Sequence, residues 1–273
     1  MTVYALQARS LLFVPGDRPD RFAKAVASGA DAIIIDLEDA VAAHAKGSAL
    51  DNALRWIDDG HDAVVRVNAV GTRWHAAEIA ALAATDAAVM VPKSELSNEL
   101  AAVGKAVGDR VIALIETARG VRDADEVCAA SGVVRVALGN VDLARELGVS
   151  PGSRAAFAYV RGRIVAASAA AGLAPPVDGV TTALDDARLL VDELGVSKEL
   201  GFGGKLCIHP SQVSIVNDAL RPSREELAWA KRIVELAGID GVSVVDGEMV
   251  DAPVLARAAA LLRYGTAAEC RQQ

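Results

Sequence analysis

Acidic side chains come at the ends of several short apolar runs in this sequence. Asp36, Glu38 and Asp39 close one run, Glu116 follows a second, and Asp142 lies just beyond a third. Carboxylates crowded into one low-dielectric cleft repel each other, and raised pKa values or a bound divalent cation relieve that repulsion. Because no Cys or His cluster accompanies these oxygen ligands, the pattern predicts Mg²⁺, with Mn²⁺ as the alternative, and not zinc.

Further polar side chains stand at or just after other apolar runs, namely Arg66, Asn68, Lys93, Asn140, Asp178 and His209. One such residue ordinarily lies at a solvated strand end or caps a helix N-terminus, so only the recurrence of polar residues at several runs indicates a functional site. For Arg66, an ion pair with a carboxylate on the adjacent strand is an alternative to substrate binding. His209 fits a hydrogen-bonded structural role at least as well as a catalytic one.

The elements that would position these residues are eight short runs rich in β-branched residues, separated by Ala/Leu-rich helical patterns. They cover residues 10–16, 32–39, 63–68, 88–93, 111–117, 134–140, 176–180 and 204–210. Most are continuously apolar, which is typical of strands buried on both faces of a parallel sheet. The pattern therefore predicts an α/β fold, a closed TIM (β/α)8 barrel, with an open sheet as the alternative.

This fold predicts where the polar residues meet, because active sites of such barrels form at the carboxyl ends of the strands. Residues 1–220 are expected to form the barrel. Residues 221–273 are expected to form a C-terminal helical extension of the same structural domain that contributes to the active site. Within it we expect helices at about 224–237 and 252–263, joined by a glycine-rich turn at 238–241.

Composition narrows the function classes. The chain has 273 residues, 52% of them hydrophobic, and a net charge of −8, which disfavours a nucleic-acid partner. No run of about 18 apolar residues suggests a membrane span, and the N-terminus lacks a signal-peptide pattern, so a cytoplasmic location is expected. Three cysteines without a CxxC pair suggest neither a disulfide framework nor a zinc site.

Seven segments carry a family resemblance: RSLLFVPGDRPDRF at 9–22, DAIIIDLEDAV at 31–41, VVRVNAVGT at 64–72, IALIETARG at 112–120, GNVDLARELG at 139–148, GKLCIHPSQV at 204–213 and GEMVDAPVL at 247–255. In order and spacing they resemble the citrate lyase β-subunit or CitE-like proteins of the HpcH/HpaI aldolase superfamily. The resemblance covers nearly the whole chain. It implies a TIM barrel, commonly a homotrimer, that acts on acyl-CoA substrates with Mg²⁺.

The resemblance also implies roles for individual residues. Glu116 and Asp142 match the metal ligands, with Glu116 also near the substrate, and Arg66 matches the substrate-binding arginine. Asp251 matches an acidic residue that would shuttle a proton at the acyl carbon, although it also fits a helix N-cap before Pro253. Three residues match an acidic cluster near the metal, namely Asp36, Glu38 and Asp39.

The anionic CoA would need basic contacts. Arg9, Arg18 and Lys24 surround the first run and are candidates, although solvated surface residues of this kind are common. The family usually has an acidic residue where this chain has Val141, next to the predicted ligand Asp142. Its loss would weaken metal binding or change the preferred substrate.

These observations predict a carbon–carbon lyase that cleaves or forms a 3-hydroxyacyl-CoA such as citryl-, malyl- or citramalyl-CoA. A malyl-CoA-type thioesterase and a CoA-binding regulatory protein without turnover are the alternatives. A pyruvate aldolase that uses no CoA is disfavoured by the C-terminal segment with Asp251. The sequence leaves open which acyl-CoA or acyl carrier is used and in which direction.

Overall fold

The structure is a computed structural model that describes residues 3–236, 243–245 and 248–270. Eight parallel strands, β1–β8, form the sheet: Ser10–Pro15, Ala32–Asp36, Val64–Arg66, Ala88–Val91, Val111–Ile115, Val133–Leu138, Val177–Asp178 and Gly204–Cys207. Each strand pairs with the next along the chain, and β1 pairs with β8, so the sheet closes into a barrel. The predicted (β/α)8 barrel is confirmed, and the open sheet is excluded.

Helices cover the barrel and continue beyond it. They are α1 Val3–Gln7, α2 Phe22–Ala27, α3 Lys46–Asp58, α4 His75–Leu82, α5 Ser97–Val107, α6 Ala118–Arg122, α7 Ala124–Cys128, α8 Asn140–Leu147, α9 Arg154–Ala170, α10 Ala187–Leu200, α11 Ser211–Ala219, α12 Arg224–Leu236 and α13 Ala252–Cys270. Short 3₁₀ turns lie at Pro19–Arg21 and Ala43–Ala45. No helix among the described residues is long and apolar enough to span a membrane.

All residues of β2, β4, β5 and β8 are buried, because one face packs into the barrel and the other packs under the helices. Side chains from alternate positions fill the interior with a layered apolar core that includes Leu11, Ile34, Met90, Ile112 and Leu206. This core packs inside the barrel and supports the carboxyl ends of the strands.

The seventh strand is the shortest, with two residues, as the preceding prolines lead one to expect. Asn140 supports the chain beyond it: its Oδ1 accepts the backbone N–H of Val180 at 2.8 Å and its Nδ2 donates to the Val180 carbonyl at 2.9 Å. At the opposite end of the barrel, the buried Arg135 donates to the carbonyls of Ala5 and Ala8, which fastens α1.

The predicted strands were too long at their carboxyl ends. The run at 32–39 ends as a strand at Asp36, and the run at 111–117 ends at Ile115. The polar side chains at these ends bond to loop backbone: Asp36 accepts the N–H groups of Glu38 and Ala40, and Glu116 accepts that of Lys93.

The chain divides into two compact units, Met1–Ala219 and Leu220–Gln273. In the second unit, α12 and α13 pack around Ala230, Ile233, Val250 and Ala258.

The predicted turn at 238–241 lies outside the described residues. The α13 helix begins at the predicted residue and runs further than predicted. An antiparallel pair, β9 Ser243–Val245 and β10 Glu248–Val250, was missed, although the Asp-Gly dipeptide between its strands is a hairpin signal. That the two units form one structural domain stays a prediction.

Candidate active site

A cavity of about 380 Å³ opens at the carboxyl ends of the barrel strands. Its lining combines charged side chains with a larger set of apolar ones. Asp36, Asp39, Arg66, Glu116 and Asp142 are the charged members. The barrel therefore brings half of the ten residues that the sequence predicted for the site to one cavity, and Glu38 lies beside them, 3.3 Å from Arg66.

Arg66 is held in one orientation by Asp36. The two residues are partners in the β2–β3 register, and Arg66 Nε and Nη2 donate to the two Asp36 oxygens at 2.7 Å each. The same oxygens accept the backbone N–H groups of Glu38 and Ala40 at 2.9 and 3.0 Å. Asp36 thus accepts four hydrogen bonds and positions Arg66, which confirms the ion-pair alternative for Arg66. A catalytic role for Asp36 in the acidic cluster near the metal stays a prediction.

The guanidinium of Arg66 also lies over the ring of Phe13, with Cζ 4.8 Å from the ring centroid. Burial alone would lower the pKa of Arg66, but Asp36, Glu38 and Glu116 raise it above its ordinary value. Arg66 is therefore a permanent cation with a fixed direction at the mouth of the barrel.

Glu38 lies between two cations. Its Oε1 accepts a hydrogen bond from Lys93 Nζ at 2.6 Å, and its Oε2 lies 3.3 Å from Arg66 Nη1. That Oε2 atom is buried without a hydrogen-bond partner in the described part of the chain. Burial raises the pKa of Glu38, and the two cations only partly oppose this. A buried carboxylate oxygen left unsatisfied is an expected feature of a ligand site.

Lys93 lies at the centre of the acidic residues. Its Nζ is 2.6 Å from Glu38, 3.7 Å from Glu116 and 3.8 Å from Asp142. Its φ of 50° makes it the one non-glycine residue with a positive φ in the described ranges. Such backbone strain concentrates at functional sites. The sequence predicted Lys93 at the mouth but assigned it no role.

Glu116 is buried at the end of β5, and its Oε1 accepts the backbone N–H of Lys93 at 2.9 Å. Burial, reinforced by the nearby charge of Glu38, raises the pKa of Glu116 to about 7. Gly139 borders this side chain, and a Cβ at Gly139 would collide with Glu116. Gly139 was not among the predicted site residues, and its only sequence signal is a glycine directly after an apolar run.

Asp142 lies in the first turn of α8, where its Oδ1 is 3.0 Å from Arg145 Nη2. Asp39 is exposed and lines the cavity. Val141 also lines it, in the position between Asn140 and Asp142.

Three predicted CoA contacts do not reach the cavity. Arg9 precedes β1, so it lies at the amino end of the barrel, where Asp31 accepts its Nε at 2.8 Å. It does not line the cavity, because the mouth is formed by the other ends of the strands, and its predicted CoA contact stays a prediction. Arg18 is exposed and paired with Asp20, and Lys24 is exposed on α2. CoA binding by these two stays a prediction.

Two further strand-end residues also point elsewhere. Asp178 is buried outside the barrel interior, where Arg161 Nε donates to it at 2.8 Å. His209 Nδ1 lies 2.7 Å from Ser211 Oγ, which matches the structural alternative.

Asp251 lies in the second unit and caps α13, accepting the backbone N–H of Val254 at 3.1 Å. The N-cap interpretation is confirmed, and the proton-transfer role stays a prediction.

The residues present fit a magnesium ion. Glu116, Asp142 and the unsatisfied Glu38 oxygen supply hard oxygen donors, and the Lys93 ammonium already lies among all three carboxylates. No group of three or more His, Cys, Asp or Glu is arranged as a complete metal cage within the described ranges. Magnesium does not need one, since it commonly binds one or two carboxylates and completes its shell with water and substrate oxygens.

A closed parallel barrel with a fixed arginine and clustered carboxylates at its mouth defines a TIM-barrel enzyme. The family model described as HpcH/HpaI aldolase/citrate lyase matches residues 9–210, and one described as a C–C bond lyase of the TIM-barrel fold matches 159–263. The chain belongs to the HpcH/HpaI aldolase/citrate lyase family, as the resemblance predicted. This membership makes it an enzyme of the carbon–carbon lyase class.

Relatives of known name support this assignment. The chain is 43% identical to a citrate lyase subunit beta-like protein of Mycobacterium tuberculosis H37Rv, over 92% of this chain and 93% of that protein. It is 38% identical to a (3S)-malyl-CoA thioesterase of Cereibacter sphaeroides ATCC 17029, over 89% of each. A crystal structure of CitE from M. tuberculosis in complex with magnesium, acetoacetate and coenzyme A is 39% identical. It matches with a TM-score of 0.77 over 96% of this chain and 99% of that chain.

Proposed function

We propose that this protein is a Mg²⁺-dependent lyase that cleaves, or in reverse forms, a 3-hydroxyacyl-CoA to give an acyl-CoA and a 2-keto acid. The observation that carries the proposal is the grouping of Arg66, Glu116 and Asp142 around one cavity at the barrel mouth. The magnesium and coenzyme A of the similar CitE structure support the choice of metal and substrate class.

The reaction breaks the bond between C2 and C3 of the substrate. The C3 hydroxyl gives its proton to solvent, and its oxygen forms the C3=O bond of the keto acid as the C2–C3 electron pair passes to the thioester as an enolate. A proton taken up at C2 then completes the acyl-CoA, so no net proton is gained or lost. Bound Mg²⁺ would supply Lewis-acid polarisation and orientation of the substrate oxygens. Glu116 and Asp142 are the residues that would hold it, with Glu38 beside them.

Arg66 stabilises the oxygen on which negative charge develops. Asp36 engages its Nε and Nη2, so the remaining nitrogen, Nη1, has a set direction next to Glu38. A donor fixed before the reaction needs no reorganisation when the charge appears, which is the usual source of a large electrostatic effect.

For the proton at C2, we propose Asp251, on the strength of its match to the family's acidic residue. Its N-cap hydrogen bond uses Oδ1 and is compatible with that role. We also propose a homotrimeric assembly, which sedimentation or light scattering of the purified protein would test.

A thioesterase is the second candidate, favoured by the 38% identity to the (3S)-malyl-CoA thioesterase. The same arginine and metal site would serve it, followed by hydrolysis of the thioester. A CoA-binding protein without turnover is the third. Val141 is its one hint, and the retained Arg66, Glu116 and Asp142 argue against it.

The decisive experiment incubates the protein and Mg²⁺ with citryl-, malyl- and citramalyl-CoA while keto acid and free CoA are measured separately. A keto acid and a shorter acyl-CoA, both lost with chelator or in Glu116→Ala, establish the lyase. Free CoA without keto acid establishes the thioesterase. Binding of CoA without any product leaves the regulatory protein as the answer.

A further inference from the structure

The cavity at the barrel mouth has two chemically different parts. One part carries the charged groups of Arg66, Glu116 and Asp142. The other is an aliphatic wall, which we define by six residues: Leu114, Leu138, Val141, Val180, Leu206 and Ile208.

The wall reaches the open end of the cavity. Val141 is 45% exposed and Ile208 is 41% exposed, and both are large apolar side chains beside the charged groups. Apolar surface of this kind is stabilised when an apolar group of a ligand covers it. A charged ligand group placed there would lose water without gaining a partner.

The charged residues of the lining also disfavour an additional anionic group on the substrate. Four lining carboxylates, Asp36, Asp39, Glu116 and Asp142, stand against one lining cation, Arg66, whose Nε and Nη2 are both bonded to Asp36. Among the residues that the structure describes, the lining offers one cation, Arg66, which the proposed reaction already uses. The neighbouring Lys93 ammonium does not line the cavity and is already engaged by carboxylates of the site, at 2.6 Å from Glu38, 3.7 Å from Glu116 and 3.8 Å from Asp142.

The reacting C3 carbon of the proposed substrate carries a hydroxyl, a carboxylate and one more substituent besides C2. The hydroxyl and carboxylate match the charged part of the cavity. We infer that the remaining substituent contacts the aliphatic wall and is an alkyl group, an inference that rests on the proposed lyase function. The preferred substrates are then 3-hydroxyacyl-CoA thioesters with a tertiary C3 that bears a methyl or longer alkyl group.

This inference separates three substrates that differ only in that substituent. Citramalyl-CoA carries methyl, malyl-CoA carries hydrogen, and citryl-CoA carries a carboxymethyl group. One methyl group in an apolar pocket changes kcat/KM by about tenfold or more, so citramalyl-CoA should exceed malyl-CoA by at least that factor. Citryl-CoA should be poorer than citramalyl-CoA by about 100-fold, because its second carboxylate meets the wall.

The test measures kcat and KM for the three thioesters and, separately, the calorimetric affinity of pyruvate, glyoxylate and oxaloacetate with Mg²⁺ present. Ile208→Arg adds a cation at an exposed wall position, and Ile208→Gln, of similar length without charge, is the matched control. Ile208→Arg should reduce the ratio of kcat/KM for citramalyl-CoA to kcat/KM for citryl-CoA by at least about tenfold, mainly by lowering the KM of citryl-CoA. Ile208→Gln should leave this ratio unchanged. Val141→Lys repeats the test if Ile208→Arg fails to fold.

Cleavage of citryl-CoA as fast as citramalyl-CoA overturns the inference and leaves the lyase intact. A loss of keto acid from all three thioesters overturns the proposed function instead. The affinity series then still decides the inference, since tighter binding of pyruvate than of oxaloacetate supports the aliphatic wall and the reverse order refutes it.

Discussion

Two buried clusters of charge in the barrel unit use the same residue types in opposite ways. The mouth cluster consists of Asp36, Glu38, Arg66, Lys93, Glu116 and Asp142. The outer cluster, between β7, β8 and the helices α9 and α10, consists of Arg161, Asp178, Glu193, Ser197 and Lys205. Each contains one arginine and one lysine, and they differ in what those cations face.

The outer cluster is balanced, with two cations and two carboxylates. Arg161 Nε donates to Asp178 at 2.8 Å, and Lys205 Nζ donates to the Gly179 carbonyl at 2.8 Å. Burial would raise the pKa of Asp178, but Lys205 and Arg161 lower it overall. A satisfied network of this kind rigidifies a fold.

The mouth cluster is unbalanced: its four carboxylates face the two cations of the cluster, Arg66 and Lys93, and beyond them, in the described part of the chain, only the exposed Arg145, which pairs with Asp142 at 3.0 Å. The pKa of Glu116 is raised to about 7, and Glu38 Oε2 has no hydrogen-bond partner in the described residues. Buried charge that its own neighbours do not balance, as at the mouth, is typical of a functional site, and a bound cation would supply the balancing charge.

Glu116→Gln removes a carboxylate from the mouth cluster and should have the largest effect on activity. Losing one predicted metal ligand removes several kcal/mol of transition-state stabilisation, so kcat/KM should fall by about 10³-fold or more. The free energy of unfolding without metal should stay unchanged or rise, because a poorly compensated buried carboxylate is gone. Kinetics and urea denaturation measure the two effects, with Glu126→Gln, exposed on α7, as the control. A stability loss without an activity loss would show that Glu116 is structural.

Asp178→Asn should have the opposite profile. It leaves Arg161 and Lys205 facing an uncharged group in a buried site, which typically costs about 3–5 kcal/mol of folding stability. Urea denaturation at neutral pH measures this loss, and folded protein should keep its kcat. Asp125→Asn is the matched control, since it changes an exposed ion pair with Arg163 and should cost less than about 1 kcal/mol. Equal losses in the two variants would contradict the contrast.

At acidic pH, the difference in unfolding free energy between wild type and Asp178→Asn should disappear. Because the folded pKa of Asp178 lies below its ordinary value, its ionised form stabilises the fold at pH values above that ordinary value. The contribution is lost as the pH falls through the folded pKa. Unfolding free energies of both proteins from pH 7 to pH 2 should therefore converge below about pH 4. A gap that stays constant over this range would exclude the ion pair as its cause.

Lys93→Met should have the smallest effect. Its ammonium is partly exposed, so the metal-free protein should lose only about 1 kcal/mol or less. The variant should bind Mg²⁺ several-fold more tightly, because a competing cation has gone, and saturating Mg²⁺ should restore its melting temperature. Calorimetry and thermal melts measure both, with the exposed Lys105→Met as the control. Weaker Mg²⁺ binding would mean that Lys93 supports the metal site.

Much of the site could be predicted from the residues. The eight strands were predicted from their apolar runs. The positions of Arg66, Glu116 and Asp142 at or after those runs placed them at the mouth, and the family resemblance implied their roles. The predictions failed where a side chain's direction mattered. Asp178 and Arg66 both end strands, but Arg66 lines the cavity and Asp178 does not.

The sequence by itself determined the barrel, the end of it that carries the chemistry, and the types of residue gathered there. Only the tertiary structure decided which of those residues face one another. In strands that are apolar on both faces, no polar alternation reveals which positions point inward, so Val177 and Asp178 could not be told apart. The Lys93 contacts likewise depend on three strands and a helix meeting, which no local pattern encodes.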